Sequence, residues 1–362
     1  MKYTRTRHSR TVGFCLAMGV VLSSSITDAQ QTAPVPDKIA SSPSCSLPAQ
    51  NNQPTLPSDA SHTATEHYRG ETSIEDRIDY YFPANTGPGT PMVLIVHGGG
   101  WMGNGNTNGY LEDAAYLVHQ GYAVAYVNYR LVASGMNLFP TAVQDLRCAV
   151  RFIRAHGTAR YNPHVLGALG GSAGGNLVSM LGVLPPAYND SAIPFGDLDG
   201  SCEKFSVQSS NVDAVAAYYP AANVTGPLDY DTTPPPDSKP GSPTAWPIIQ
   251  DFAKYTGVPA AQVFANPIVE KATPQYYLSH GLSNVTADFY IVNGDQDAVI
   301  PEYQSGDLRV ALNKYTSSSA TWELVPGQGH GFITFDTADP KIADAACDVL
   351  NFFSSRLPAP TP

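Results

Sequence analysis

The feature that most constrains the fold is an alternation of short, largely apolar runs with segments of helical periodicity. The runs have strand length, and apolar residues at helical spacing fill the segments between them. They lie at residues 92–97, 123–128, 165–170, 212–219, 288–294 and 321–325. Apolar strands separated by amphipathic helices predict an α/β fold, with a mostly parallel central sheet covered by helices on both faces.

The N-terminal part of the chain does not follow this pattern. Basic residues precede an apolar run at 12–22, and Thr27 and Ala29 follow at a spacing compatible with cleavage. This pattern is typical of a signal peptide over 1–29, and the run is too short to span a bilayer. Residues 30–62, rich in Pro, Ser, Gln and Asn, predict a flexible leader before one folded domain at 63–358. We therefore expect a secreted or periplasmic protein without a membrane anchor.

One internal segment also departs from the pattern. Residues 226–250 contain too many prolines for a central strand. They form either a surface loop or a lid-like insertion beside a pocket, and the sequence leaves both interpretations open. The glycine-rich stretch 103–109 lacks both the dinucleotide spacing and the P-loop Lys-Ser/Thr, so a nucleotide site is not expected.

The charge balance narrows the possible partners. Without residues 1–29, the chain carries 16 Lys and Arg against 30 Asp and Glu. This acidity disfavours nucleic acid and anionic membranes as partners. A small or polymer-linked substrate remains, and the sequence indicates no oligomeric state.

Residues 170–174, "GGSAG", fall between a predicted strand and a predicted helix. A G-x-S-x-G motif in this context predicts a turn so sharp that only small neighbours fit, which exposes the hydroxyl of Ser172 at the sheet edge. The following helix N-terminus favours developing negative charge. Ser172 is therefore the candidate nucleophile.

A serine hydroxyl needs a base, and the base needs an acid to orient it. His330 follows the last predicted strand in a glycine-flanked loop and is the candidate base, whereas His280 precedes its strand and is predicted at the opposite edge. Asp295 and Asp297 both follow the strand at 288–294, and the residues alone do not choose between them. The order Ser, acid, His is that of an α/β-hydrolase triad.

Negative charge on a tetrahedral intermediate requires preorganised N–H donors. The sequence "HGGGW" at 97–101 directly follows the first long buried strand. We expect donors from the backbones of Gly99 and Gly100, together with that of Ala173 after the nucleophile. This chemistry needs no metal and no cofactor.

Together these motifs resemble the α/β-hydrolase superfamily over residues 65–358. The stretches "HGGGW", "NYRL", "FPTAVQDLRCAVRFIR", "GGSAGGN" and "GDQDAVIP" resemble bacterial feruloyl-esterase-type and acetyl esterases, related to the hormone-sensitive-lipase-like group. The resemblance implies a serine carboxylic ester hydrolase and assigns the acid to Asp297. Gly171 stands where hormone-sensitive-lipase relatives usually carry an acidic residue, which favours the feruloyl or acetyl side. Trp101 and Tyr218 are the aromatic residues expected to contact substrate.

Two other functions are compatible with the same fold. A prolyl-oligopeptidase-type peptidase shares the fold and the triad order but usually adds a propeller domain, for which the residues before "HGGGW" are too few. A non-catalytic protein that retains the fold would be indicated by the loss of a triad member, and all members are present.

Four cysteines follow the predicted signal peptide, with no metal-ligand spacing, so two disulfides are expected in an oxidising compartment, with free thiols as the alternative. The resemblance places the helices that carry Cys148 and Cys347 on opposite faces of the sheet. This arrangement favours the pairs Cys148 with Cys202 and Cys45 with Cys347.

Overall fold

The computed structural model describes residues 34–41, 45, 65–103, 107–157, 159–185, 198, 202–224, 247–332 and 337–357. These residues belong to one compact unit that extends from Ala33 to Pro362. The expected signal peptide at 1–29, most of the leader and residues 226–246 of the proline-rich segment lie outside the described ranges.

The described ranges contain nine strands and eight α-helices. The strands are β1 (Lys38–Ile39), β2 (Thr65–His67), β3 (Arg77–Tyr81), β4 (Met92–Val96), β5 (Ala123–Val127), β6 (Leu166–Gly171), β7 (Ala214–Tyr218), β8 (Asp288–Gly294) and β9 (Ala320–Val325). The helices are α1 (Thr107–His119), α2 (Thr141–Ala155), α3 (Ala173–Val183), α4 (Pro247–Thr256), α5 (Pro267–Lys271), α6 (Pro274–Ser279), α7 (Tyr303–Tyr315) and α8 (Pro340–Arg356).

The strands form one mostly parallel sheet in the order β1-β9-β8-β7-β6-β4-β5-β3-β2. Only β3 runs antiparallel to its neighbours β2 and β5. The six predicted apolar runs form β4 to β9 as adjacent parallel strands, so their carboxyl ends share one edge of the sheet. Ligand sites of open α/β sheets form at this edge.

Both faces of the sheet are covered. Along β4, Met92, Leu94 and Val96 belong to a core formed with α2, α3 and α7. Val93 and Ile95 point to the opposite side and belong to a second core formed with α1 and α8. Because successive side chains of a strand alternate between faces, a continuous apolar run is what a sheet covered on both sides requires.

One part of the chain differs from the sequence-based expectations. Residues 38–39, assigned to a flexible leader, form an edge strand that pairs with β9; a two-residue strand is too short to show alternation. Residues 74–76 form a short 3-10 turn, in which the Ser73 hydroxyl accepts the N–H of Glu75. Helix α4 begins near the end of the proline-rich segment, and α5 and α6 follow it.

A partly buried cluster of charges holds β1 to the sheet. Lys38 Nζ lies 2.9 Å from an Asp344 carboxylate oxygen and 3.4 Å from Glu323 Oε1, and it also pairs with Asp348. Burial lowers the pKa of Lys38, but the carboxylates outweigh this effect and raise it overall. Burial raises the pKa of Glu323 to about 7, although the Tyr290 hydroxyl donates to its carboxylate at 2.8 Å.

Two disulfides join distant segments. Cys45 bonds to Cys347 on α8, and Cys148 on α2 bonds to Cys202. Because α2 and α8 cover opposite faces of the sheet, a bond between Cys148 and Cys347 is sterically excluded. The pairing is the one that the resemblance favours.

Candidate active site

Ser172 occupies the turn between β6 and α3. Its φ of 59° and ψ of −122° lie outside the backbone regions that residues other than glycine prefer. Such backbone strain costs about 1–3 kcal/mol and is typical of functional positions. Two backbone hydrogen bonds hold the turn: the Ser172 N–H donates to the Tyr218 carbonyl at 3.0 Å, and the Ser172 carbonyl accepts from Asn176 at 2.9 Å. The neighbouring strand and the first helical turn thus fix the hydroxyl at the sheet edge.

The glycines around Ser172 are required by close backbone approach. A Cβ on Gly174 would lie 2.2 Å from the carbonyl oxygen of Val96, and one on Gly170 would lie 2.6 Å from that of Gly174. Neither contact can be relieved by rotating a side chain, because both atoms belong to the backbone. The motif therefore lets α3 pack directly against the ends of β4 and β6.

Asn176 is a site residue that the sequence analysis did not single out. Its fully buried side chain donates through Nδ2 to the carbonyls of Ala221 at 2.7 Å and Ala272 at 3.0 Å. It thereby joins the elbow helix to the loop after β7 and to the segment between α5 and α6. The signal was present in "GGSAGGN", where an amide follows the glycines on the first turn of a helix.

The structure brings Ser172, His330 and Asp297 into one hydrogen-bonded row. His330 Nε2 lies 3.0 Å from Ser172 Oγ, and His330 Nδ1 lies 2.9 Å from Asp297 Oδ2. The other carboxylate oxygen of Asp297 accepts the N–H groups of Val299 at 2.9 Å and Ile300 at 2.8 Å. A fully buried carboxylate held by two backbone donors can orient an imidazole without moving.

The alternative acid and base lie elsewhere. Asp295 Oδ1 accepts the Gly327 N–H at 2.6 Å, so this side chain joins the loop after β8 to the loop after β9. His280 caps the C-terminus of α6, where its exposed ring is 2.9 Å from the carbonyl oxygen of Tyr276. Neither residue contacts Ser172.

The "HGGGW" loop follows β4 and lies beside the elbow, because Val96 pairs with Gly170 in the sheet register. Gly99 and Gly100 have φ values of 104° and 60°, a region that favours glycine. The Gly99 carbonyl accepts from Met102 and Gly103 at 3.0 Å, which closes the loop into a turn. Ala173 is the first residue of α3, and an N–H at this position has no acceptor within its helix.

His97, the first residue of this loop, packs on its buried side. It is fully buried, its Nδ1 lies 2.8 Å from the Gly98 carbonyl oxygen, and its ring stacks on Tyr129 with centroids 4.3 Å apart. Burial lowers the pKa of His97 to about 4. The ring is therefore neutral at pH 7 and gives the loop a rigid support without a charge.

The expectation that Trp101 and Tyr218 contact substrate requires a correction. Both side chains are at most 1% exposed. Trp101 stacks on Tyr255 with ring centroids 4.2 Å apart and an interplanar angle of 2°, inside the core. Neither ring faces a pocket, because both are packed in the core below the sheet edge.

Tyr219, the neighbour of Tyr218, is the aromatic residue at the site. Its ring centroid lies 4.7 Å from that of His330, and its hydroxyl donates to the Phe332 carbonyl at 3.2 Å. A Cβ on Gly171 would lie 2.9 Å from the same hydroxyl oxygen. Tyr219 thus occupies the space that a side chain at position 171 would need.

Within the described ranges, no group of three or more His, Cys, Asp or Glu side chains could hold a metal ion. No helix within the same ranges has both the length and the apolar character needed to cross a membrane.

The sheet order, the strained elbow and the row of Ser172, His330 and Asp297 define an α/β-hydrolase-fold protein with a serine-histidine-aspartate site. Residues 78–312 match the BD-FAE family, and the chain belongs to that family.

Two curated relatives are distant in sequence and are matched over only part of their own length. "Esterase LipQ" of Mycobacterium tuberculosis is 24% identical over 79% of this chain and 62% of its own length. "Probable carboxylic ester hydrolase LipM" of the same organism is 24% identical over 73% of this chain and 54% of its own length. The chain thus spans less than two thirds of these relatives.

Solved structures support the fold. A "truncated form of carbohydrate esterase from gut microbiota" has a TM-score of 0.62 and 22% identity, covering 83% of this chain and 99% of its own. Thermogutta terrifontis esterase 2, phosphonylated by sarin, has a TM-score of 0.63 and 18% identity, and the match covers 86% of this chain and 99% of that structure's chain. At such identities the similarity concerns the fold alone.

Proposed function

We propose that this protein is an exported serine hydrolase of carboxylic esters that works through an acyl-enzyme. The observation that carries the proposal is the continuous row of hydrogen-bonding contacts from Asp297 through His330 to Ser172 Oγ. Membership of the BD-FAE family and the names of its esterase relatives support the same reaction class.

In the proposed mechanism, His330 Nε2 takes the proton from Ser172 Oγ as this oxygen attacks the ester carbonyl. Asp297 keeps the proton of His330 on Nδ1, which leaves Nε2 free to act as the base. The N–H groups of Gly99, Gly100 and Ala173 donate hydrogen bonds to the oxyanion. His330 then returns the proton to the leaving alcohol. In the second half-reaction His330 takes a proton from water as the water oxygen attacks the acyl carbonyl, and it returns that proton to Ser172 Oγ as the bond between Oγ and the acyl group breaks.

The proposed substrates are short-chain or aromatic esters of the acetyl or feruloyl type. The resemblance of the motifs to such esterases supports this range, as does the glycine at position 171. The export part of the proposal rests on the signal-peptide pattern at 1–29, and the two disulfides are consistent with an oxidising compartment.

The test is a series of 4-nitrophenyl esters from acetyl to octanoyl, with methyl ferulate and acetylated xylan as further substrates. We expect turnover by the wild-type protein and a loss of kcat of at least about 10⁴-fold in Ser172→Ala. Ser279→Ala, which removes the same hydroxyl from an exposed residue at the end of α6, is the matched control and should keep wild-type kcat. Inactivity of the wild-type protein on every ester, or undiminished turnover by Ser172→Ala, would refute the proposal.

A further inference from the structure

Helix α4 packs against the "HGGGW" loop through two aromatic contacts. Trp101 of the loop stacks on Tyr255, and its ring centroid lies 5.0 Å from that of Phe252. Asp251 precedes Tyr255 by four residues, so both side chains lie on the same face of the helix. The packing of Trp101 on α4 therefore positions Asp251 beside the loop that follows β4.

The carboxylate of Asp251 lies directly against Gly100. A Cβ built on Gly100 would be 2.9 Å from Asp251 Oδ2 and 3.2 Å from Met102 Cε. Lys254 and the protonated form of His330 both lower the pKa of this carboxylate. Asp251 is thus adjacent to one of the proposed oxyanion donors and within electrostatic range of the proposed base.

Two basic groups lie within electrostatic range of Asp251, but neither bonds to its carboxylate. Among the residues that the structure describes, none forms a hydrogen bond or an ion pair with this carboxylate. Its side chain is partly buried, and burial raises its pKa, against the smaller opposing effects of Lys254 and His330. A partly desolvated acceptor without a partner costs free energy, which a ligand that donates a hydrogen bond would recover.

A negative charge at this position also opposes the reaction. The oxyanion forms beside Gly100, and a second negative charge nearby raises its energy. A substrate hydroxyl that donates to Asp251 would screen this repulsion and would bind at the same time. A substrate with a methyl group in that place would leave the carboxylate unpaired.

We propose that Asp251 is a specificity-determining residue, which accepts a hydrogen bond from a hydroxyl group close to the scissile ester. The inference rests on the proposed ester hydrolysis and names a substrate class for the same site. Asp251 contacts the substrate and takes no part in proton transfer. Discrimination between a hydroxyl and a methyl group therefore depends on this side chain.

The test uses two isosteric pairs of esters. On the acyl side, 4-nitrophenyl 3-hydroxybutyrate is compared with 4-nitrophenyl 3-methylbutyrate; on the alcohol side, 2-hydroxyethyl butyrate is compared with propyl butyrate. We expect one pair to give a hydroxyl-to-methyl ratio of kcat/KM that falls about tenfold or more in Asp251→Leu. Asp251→Asn, which keeps an acceptor oxygen, should lose less of the ratio and guards against a folding defect in the leucine variant.

The matched control is Glu71→Gln, which removes one negative charge from an exposed residue next to β2, at the far edge of the sheet. Its ratios should equal those of the wild-type protein. If the wild-type protein hydrolyses these esters and both ratios are unchanged in the two Asp251 variants, the role of Asp251 is refuted while ester hydrolysis stands. If the wild-type protein hydrolyses none of them, the proposed function itself fails.

Discussion

Replacing Gly171 with alanine tests whether a side chain at this position displaces Tyr219 and, through its ring, the proposed base His330. The added Cβ would lie 2.9 Å from Tyr219 Oη, 3.0 Å from Cε2 and 3.1 Å from Cζ. Ordinary contacts of a Cβ begin at 3.4 Å, so the ring must move by about 0.5 Å to restore van der Waals distance. The ring cannot turn away freely, because its hydroxyl is hydrogen-bonded to the Phe332 carbonyl and it lies against the His330 ring in a tilted contact.

The displacement has two measurable consequences. Overpacking of a buried position costs about 1–3 kcal/mol of unfolding free energy. A misplacement of 1 Å at a catalytic group can cost about 10²-fold in rate, so a shift of half that size transmitted to His330 should lower kcat by about tenfold. We therefore expect a protein that folds, is less stable and turns over esters more slowly.

The assays are urea unfolding and steady-state hydrolysis of 4-nitrophenyl butyrate. Gly87→Ala is the control, because a Cβ at Gly87 has no atom within 4 Å, and it should match the wild-type protein in both assays. If Gly171→Ala retains wild-type kcat and unfolding free energy, the Tyr219 ring yields without cost. The reasoning that links position 171 to His330 would then be wrong.

Two further predictions concern buried polar groups. Asn176→Asp replaces an amide donor by a carboxylate 2.7 Å and 3.0 Å from two carbonyl oxygens, so the unfolding free energy should fall by about 3–5 kcal/mol; a loss below about 1 kcal/mol in urea unfolding would contradict the assigned hydrogen bonds. Burial raises the pKa of Glu323 from 4.5 to about 7, so the folded state holds a proton that the unfolded state releases, and this contribution is complete below pH 4.5 and lost as the pH rises through 7. Relative to the wild-type protein, Glu323→Gln should therefore gain up to about 3 kcal/mol of unfolding free energy between pH 4.5 and 7.5, and a difference that does not change with pH would refute the assignment.

The central strands and the elbow were predictable because their signals are local. A run such as 92–97 is apolar on both faces, and the glycines of "GGSAG" mark a turn that no other residues could form. The row of Ser172, His330 and Asp297 followed from chain order, because parallel strands bring the loops at their carboxyl ends to one edge. The choice between Asp295 and Asp297 came from the resemblance, and the structure separates them by their hydrogen-bond partners.

Other features depend on contacts that a single sequence does not encode locally. Trp101 packs into the core because Tyr255, more than 150 positions further along the chain, offers a parallel ring. Helix α4 determines this contact and also brings Asp251 to Gly100, and it follows a segment whose composition indicated only a loop or a lid. Tyr219 differs from Tyr218 by one position, and only the end of β7 decides which ring faces His330.

The pairing of β1 with β9 has a consequence for the order in which the chain can fold. Every described partner of Lys38 in the charge cluster, and the partner of Cys45, lies between Glu323 and Asp348. During synthesis, which runs from the N-terminus, β1 has none of these partners until β9 and α8 have emerged. Contacts of such long sequence separation form late, because closing a long loop costs chain entropy. Of the described strands, β1 is thus made first and expected to dock among the last, and it covers the edge of β9, which could otherwise pair with another molecule.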